Sequence, residues 1–181
     1  MAHVFQGDAE RLDNPQRRKL LPPDAILNQL GIRPGDTIID FGCGVGYFTI
    51  PALELVGENG KVIAIDISKK MLDELRKRAG ARKNLEIMRS NNTDKAPDNV
   101  DFIFLITVLH ELEGPEKFLE KCFAKLNENG RLIIIDWQKR ETEFGPPLEH
   151  RIAKEEVLAM SGKRHIEHDI NENFYFLEFF D

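Results

Sequence analysis

Hydrophobic and polar positions follow one repeated rhythm along the chain, in which a short apolar run precedes an amphipathic stretch. Five apolar runs are predicted to be strands, over 37–41, 61–66, 85–89, 100–107 and 131–137. Because these runs are apolar on both faces, they are typical of parallel strands that helices cover on each side. The pattern therefore predicts an α/β fold with right-handed crossovers.

The amphipathic stretches between the strands carry helix start and stop signals. We predict three helices among the strands, over 47–56, 68–80 and 114–130. Ser68 is the expected N-cap of the second, while Gly80 and Gly130 are expected to stop the second and the third. A further helix is predicted over 22–31, because two prolines open it and a glycine ends it. It precedes the first strand, so we expect it to cover the carboxyl edge of the sheet.

The last segment has a different pattern. Strand-like runs over 163–170 and 173–180 are separated by a short polar turn, which predicts an antiparallel hairpin that closes the sheet. The second run is apolar almost throughout, as an interior strand covered on both faces would be.

Composition bounds the class of protein. The chain has 181 residues, of which 41% are apolar, and this is enough for one core. The net charge of −6 disfavours nucleic acid and anionic membranes as partners, because both carry negative charge. No apolar run approaches the roughly 18 residues of a membrane span, and no signal peptide is evident. Two cysteines without paired spacing indicate neither a disulfide framework nor a zinc site, so we expect a cytoplasmic protein without a metal.

The stretch IIDFGCGVGYFTI, residues 38–50, places Gly42, Gly44 and Gly46 directly behind the first predicted strand. Ligands of open α/β sheets bind at the carboxyl ends of the strands, where this loop lies. Glycines allow positive φ and let a ligand approach the backbone closely. A dinucleotide-binding turn of the form G-x-G-x-x-G would need its third glycine at position 47, where this chain has Tyr47.

Two carboxylates narrow the choice of ligand. Asp40 would repel a pyrophosphate in a cleft of low dielectric constant, but it would attract a ligand with an ammonium and a sulfonium group. S-adenosylmethionine (SAM) has both and lacks phosphate. Asp66 ends the second strand, where an acidic side chain can accept hydrogen bonds from both ribose hydroxyls. Ile67 is placed to pack on an adenine face, and Asn91 and Asn92 supply amides near the adenine edge.

Over nearly its whole length the chain resembles the class I SAM-dependent methyltransferases, most closely their small members similar to the ubiquinone/menaquinone C-methyltransferase group. The stretches that carry the resemblance are LGIRPGDTIIDFGCGVG, VIAIDIS, VDFIFLITVLHEL and LNENGRLIIIDW. The resemblance implies a single-domain Rossmann-like fold. Its seven-stranded, mostly parallel sheet has the order 3-2-1-4-5-7-6, with strand 7 antiparallel and helices on both faces.

The resemblance also implies roles for single residues. In the family the acidic residue of the first motif lies near the methionine amino group, the glycines line the methionine, and an acidic residue after strand two binds the ribose. Many relatives carry an aspartate near the adenine amino group, where this chain has Asn91 and Asn92, whose amides can still accept that hydrogen bond. The predicted cofactor-binding set is Asp40, Phe41, Gly42, Gly44, Gly46, Asp66, Ile67, Asn91, Asn92 and Thr107.

Fewer residues are candidates for catalysis. Methyl transfer is an in-line displacement, so most of its acceleration can come from alignment and dehydration. A base is needed only where the acceptor loses a proton, and His110 is the best-placed candidate for that role. The alternative is that His110 is held at the rim of the cleft by loop contacts and has no catalytic role. Trp137, His150 and Arg151 belong to a long irregular segment and are expected either to shape the acceptor pocket or to anchor the loop.

We therefore expect one SAM-binding domain. Its predicted parts are a helical cover (1–34), a cofactor-binding core (35–136), a substrate-side loop (137–153), and a closing helix with a hairpin (154–181). The expected reaction is direct methyl transfer to a small-molecule acceptor, which leaves S-adenosylhomocysteine as the product. Two alternatives stay open: an NAD(P)-dependent oxidoreductase, and a non-catalytic binding or regulatory module. A homo-oligomer is compatible with the sequence.

Overall fold

A computed structural model of the protein describes residues 12–142 and 144–180. Its centre is a seven-stranded sheet of the order β3-β2-β1-β4-β5-β7-β6. The strands are β1 (Thr37–Phe41), β2 (Lys61–Asp66), β3 (Leu85–Arg89), β4 (Val100–Ile106), β5 (Leu126–Trp137), β6 (Arg164–Asn171) and β7 (Phe174–Phe180). All neighbours are parallel except β7, which is antiparallel to both β5 and β6. The predicted fold class, strand order and closing hairpin are confirmed.

Helices cover both faces of this sheet. They are α1 (Pro15–Leu20), α2 (Pro23–Gln29), α3 (Thr49–Val56), α4 (Lys69–Ala79), α5 (Pro115–Phe123) and α6 (Lys154–Ser161), with 3-10 turns at Leu109–Glu111 and Leu148–His150. The signals predicted for α4 are confirmed, because the Ser68 hydroxyl accepts the Met71 N–H and Gly80 ends the helix with a φ of 65°.

The helix predicted over 114–130 is wrong in its second half. It ends at Phe123, and β5 begins only three residues later. Leu126 pairs with Val100 of β4, and the register then shifts so that Arg131 lies opposite Phe102. Gly130 sits inside this irregular strand, where a Cβ atom would lie 2.9 Å from the Val100 carbonyl oxygen. The glycine therefore marks a close approach of two strands and not the end of a helix.

Two apolar layers bury the central strands on both sides. On one face α5 and α6 pack against β4, β5 and β7, with Leu119 and Val157 fully inside. On the other face α2 and α3 pack against β1 and β4, with Leu27 and Leu53 equally buried. Because both faces are covered, ligands can reach the parallel strands only at the ends of the sheet.

No helix in the described part of the chain is long and apolar enough to cross a bilayer.

Candidate active site

A cavity of about 900 Å³ opens at the carboxyl edge of the sheet, beside the ends of β1, β2, β4 and β5. Most of the residues predicted from the sequence line its wall: Asp40, Phe41, Gly42, Gly44, Asp66, Ile67, Asn91, Thr107, His110 and Trp137. The α/β topology brings them together although they are spread over almost a hundred positions of the chain. This edge is the place where the fold predicts a ligand.

The glycine loop separates the cavity from the interior. A Cβ atom on Gly42 would lie 2.5 Å from Val108 Cγ2, so this position allows no side chain. Gly44, at a φ of 54°, is open by comparison, because among the described residues only Leu12 Cδ1, at 3.1 Å, comes near its absent Cβ. A ligand in the cavity can therefore come directly against the backbone at Gly44.

Asp66 fixes this loop to β2. One of its carboxylate oxygens accepts the Gly44 N–H and the other accepts the Ser68 N–H, both at 2.8 Å. Burial raises the pKa of Asp66, while these backbone donors act in the opposite direction. Each oxygen keeps a second lone pair, so the carboxylate can still accept hydrogen bonds from a ligand.

Asp40 is almost fully buried at the end of β1, with 3% of its surface exposed. The Thr49 hydroxyl donates to its Oδ2 at 2.5 Å. Burial raises the pKa of Asp40 to about 6, and the charge of Asp66 adds to that rise, whereas the Thr49 hydrogen bond lowers it. A cationic ligand group in the cavity would stabilise the ionised form of this carboxyl.

His110 stands on the wall formed by the turn after β4, and Asp136 at the end of β5 orients it. His110 Nδ1 lies 2.7 Å from Asp136 Oδ1, and the backbone N–H of His110 donates to Oδ2 of the same carboxylate at 3.2 Å. Burial lowers the pKa of His110, but Asp136 together with Glu111 outweighs that effect, and the net pKa lies above its usual value. This contact assigns the proton to Nδ1 and leaves Nε2 as the basic nitrogen of the ring.

Four predicted residues do not line the cavity. Gly46 lies against Leu75 of α4, so it shapes the turn and allows the helix to pack closely. Asn92 turns its amide oxygen to the Asp94 N–H and the Ser90 hydroxyl, which ties it into its own loop. The other two, His150 and Arg151, lie outside the cavity wall in the segment after β5.

Arg151 anchors that segment. Its guanidinium donates five hydrogen bonds, to the carbonyl oxygens of Gln138, Arg140, Phe144 and Pro146 and to the Thr142 hydroxyl. The guanidinium carbon also lies 5.3 Å from the centre of the Trp137 ring. Arg151 therefore holds the loop around Trp137, so its contribution to the cavity is indirect.

The structure adds two functional residues that sequence reasoning missed. Asp136 is not among the predicted site residues, although the predicted strand order makes β4 and β5 neighbours and so brings an acid at the end of β5 close to a histidine after β4. Arg17 of α1 also lines the cavity. The helix predicted to cover the carboxyl edge of the sheet is α2, but it packs its Ile26 and Leu27 into the core. Residues of α1 line the cavity at that edge instead.

Comparisons with known proteins agree with this geometry. A family model described as a methyltransferase domain matches residues 32–177. UbiE of Salmonella arizonae, a ubiquinone/menaquinone biosynthesis C-methyltransferase, is 34% identical over 149 residues, which are 77% of this chain and 59% of that protein. The crystal structure of a SAM dependent methyltransferase from Aquifex aeolicus has a TM-score of 0.85 at 33% identity and covers 94% of this chain and 95% of its own. A putative type 11 methyltransferase from Sulfolobus solfataricus has a TM-score of 0.75 at 25% identity, over 89% of this chain and 92% of its own.

The fold and the site thus define a Rossmann-like protein with its ligand cavity at the carboxyl edge of the sheet. The chain belongs to the family of SAM-dependent methyltransferases, as its resemblance indicated. It spans about 59% of the length of the UbiE proteins it matches.

Proposed function

We propose that this protein binds SAM in the cavity at the carboxyl edge and transfers its methyl group to a small-molecule acceptor. The observation that carries the proposal is that Asp40 and Asp66 line one cavity together with the open backbone at Gly44. One buried and one half-buried carboxylate favour a cationic ligand that has hydroxyl donors and no phosphate, which describes SAM and disfavours a nicotinamide dinucleotide.

The cavity wall provides a partner for each part of such a cofactor. Asp66 would accept the ribose hydroxyls, and Asp40 would stabilise the methionine ammonium through the cavity's low dielectric constant. Ile67 leaves 42% of its surface exposed at the wall, and an adenine ring would cover this apolar patch. Asn91 stands beside it with an amide for the adenine edge.

When bound, the cofactor supplies an electrophilic methyl group on a sulfonium centre. The chain's own contribution is to align the acceptor and to exclude water, for which Trp137, Phe118 and Phe174 provide apolar wall. Where the acceptor atom carries a proton, Nε2 of His110 would receive it as the new bond to the methyl group forms. Asp136 would stabilise the resulting imidazolium.

The remaining parts of the proposal concern the surroundings of the site. We place the protein in the cytoplasm, since Cys43 and Cys122 are both unpaired and buried. We divide the domain as the sequence indicated, with the substrate-side loop at 137–153. The small-molecule acceptor agrees with the name of the UbiE relatives, which describes C-methyltransferases of ubiquinone and menaquinone biosynthesis.

Calorimetric titration of the purified protein with SAM, with S-adenosylhomocysteine and with NADH tests this function. We expect micromolar binding of the first two and none of NADH. Asp66→Ala should weaken S-adenosylhomocysteine by about tenfold or more, because hydrogen bonds to a charged group are lost. Asp66→Asn keeps an oxygen that can accept a hydrogen bond from the glycine loop, so it tests the contact with the ligand separately from the support of that loop. Exposed Asp98→Ala is the control. Tight NADH binding, or undiminished binding by both Asp66 variants, would contradict the proposal.

A further inference from the structure

The outer strand β6 leaves one edge of the sheet open. Within the part of the chain that the structure describes, β6 pairs with β7 alone, so the backbone groups on its other side face outwards. It has eight residues, and the side chains of residues 164–167 are exposed. The strand at the opposite edge, β3, has only five residues, and most of these are half-buried. β6 is therefore the edge to which another strand can add most readily.

Ile166 stands in the middle of this open edge. It is 48% exposed, more than any other large apolar side chain that the structure describes. It lies opposite Glu178 of β7, and it belongs to none of the apolar clusters of the core. An apolar side chain at such a place gains free energy when a second apolar surface covers it.

The residues around Ile166 are complementary to a second copy of themselves. His165 and Glu167 flank Ile166 and lie on the opposite face of the strand. If two copies of β6 pair antiparallel about Ile166, this side chain meets its own copy, and each His165 lies opposite the Glu167 of the other strand. Arg164 then lies opposite His168, whose ring contacts the Glu178 carboxylate at 2.6 Å.

The neighbouring registers lack this complementarity. A pair centred on His165 would place Ile166 opposite Arg164. A pair centred on Glu167 would place two carboxylates directly opposite each other, which destabilises a strand pair. Charged side chains commonly protect an edge strand from pairing, but here their order favours one register over its neighbours.

We propose that β6 is the contact surface for a second copy of this chain, through an antiparallel strand pair centred on Ile166. The pair joins two seven-stranded sheets into one continuous sheet. Since β6 runs parallel to β1, the two cavities open at opposite edges of the joined sheet, and neither copy blocks the other. One strand pair covers less surface than the roughly 1,200 Å² of a stable interface, so we expect half-association at about 10 to 100 µM.

Sedimentation velocity of the purified protein between about 5 and 500 µM tests the association. The mass of the wild type should rise from monomer to dimer over this range. Ile166→Asp should abolish the dimer, because it places two carboxylates opposite each other at the centre of the pair. Leu148→Asp, which changes another exposed apolar residue in the segment after β5, is the matched control and should leave the dimer intact.

A charge exchange tests the register. His165→Glu should weaken the dimer by about tenfold, because it sets like charges opposite each other at two places in the pair. Glu167→Lys in the same chain should restore it, since opposite charges then face each other again. Glu167 also contacts Lys154 of α6 at 2.7 Å, so the melting temperature of each variant is measured beside its mass.

A cysteine at position 166 reports the same register directly. Side chains directly opposite each other in an antiparallel pair are near enough for a disulfide, so Ile166→Cys should form a covalent dimer on mild oxidation. Both native cysteines are buried and do not compete. Arg164→Cys is the control on the same face, because in this register it lies about 14 Å along the strands from its own copy.

Three results would overturn the proposal. They are a wild type that stays monomeric at every concentration, a dimer that persists in Ile166→Asp, and oxidation of Arg164→Cys as fast as that of Ile166→Cys. The first would mean that the charges of β6 protect its edge. No described residue of β6 lines the cavity, so Ile166→Asp should keep its affinity for S-adenosylhomocysteine. A wild type that bound neither SAM nor this product would refute the proposed function and leave the test of the dimer unchanged.

Discussion

Asp40 illustrates at the scale of one residue how ligand binding and stability oppose each other. Its folded-state pKa of about 6 lies above the ordinary 3.8, so its stabilising contribution is present at low pH and lost as pH rises through 6. At pH 8 the ionised, buried group costs up to about 3 kcal/mol. Asp40→Asn should therefore raise the melting temperature of the free protein at pH 8, by several degrees, and not at pH 4. Exposed Asp98→Asn is the control, and an unchanged melting temperature at pH 8 would argue against the burial cost.

The same carboxyl is expected to make cofactor affinity depend on pH. A ligand ammonium group binds best to ionised Asp40, so protonation below pH 6 competes with binding. We expect S-adenosylhomocysteine to bind about tenfold more weakly at pH 5 than at pH 7.5, since each unit below the pKa reduces the ionised fraction about tenfold. Calorimetry in matched ionic strength measures this. Asp40→Asn should bind S-adenosylhomocysteine weakly at both pH 5 and pH 7.5. If this variant kept the full pH dependence, that dependence would belong to another group.

His110 gives a residue-scale prediction that needs no acceptor. Asp136 contributes more than Glu111 to raising its pKa against the effect of burial. Asp136→Asn should lower the His110 pKa, and the imidazole would then titrate at lower pH. NMR of the ring nitrogens follows both the pKa and the tautomer. Glu111→Gln is the matched control and should cause a smaller decrease, because Glu111 lies 3.9 Å from Nε2. A larger effect from Glu111 would reassign the positioning role.

At the scale of elements, β7 carries a buried carboxylate into the sheet beside its edge strand β6. Glu178 is 3% exposed and lies between β5 and β6. One oxygen accepts from Arg131 on β5 and the other contacts His168 on β6, each at 2.6 Å. The carboxylate thus connects three strands and fixes the position of the closing hairpin.

Removing that carboxylate should destabilise the sheet. Glu178→Ala is expected to cost about 3 kcal/mol, because it leaves the charge of Arg131 partly buried without its partner. Urea unfolding of the variant measures the loss. Glu172→Ala, whose side chain is 77% exposed in the turn of the same hairpin, should change stability by less than about 0.5 kcal/mol. Equal values for the two variants would show that the buried triad contributes nothing specific.

The segment after β5 depends on Arg151 in the same way that the hairpin depends on Glu178. Five hydrogen bonds from the Arg151 guanidinium hold loop atoms between Gln138 and Pro146. Arg151→Met should speed amide hydrogen exchange over 138–150 by about tenfold or more while leaving S-adenosylhomocysteine affinity unchanged. Exposed Arg140→Met serves as the control. Slow exchange that persisted in Arg151→Met would mean that the loop is held by its other contacts.

At the scale of the whole molecule, the features that could be predicted from the sequence are those that depend on the local pattern of residues. The parallel strands and the motif around Gly44 follow from neighbouring residues, and so does the N-cap at Ser68. The stretch 126–130 was misassigned because its polar residues continue the pattern of α5, while its pairing with β4 is a long-range event. Asp136 and Arg17 owe their positions to strand order and to the placement of a six-residue helix, and no local pattern encodes either.

The position of Trp137 has a practical consequence for the whole protein. It is the only tryptophan of the chain, and it stands in the cavity wall with its ring centre 4.4 Å from that of Phe174. All indole fluorescence of the molecule therefore originates at the site itself. We expect blue-shifted emission from the free protein, since the residue is 9% exposed, and a change of intensity when an acceptor enters. Candidate acceptors can thus be screened by their optical effect alone, before any methyl group has been transferred.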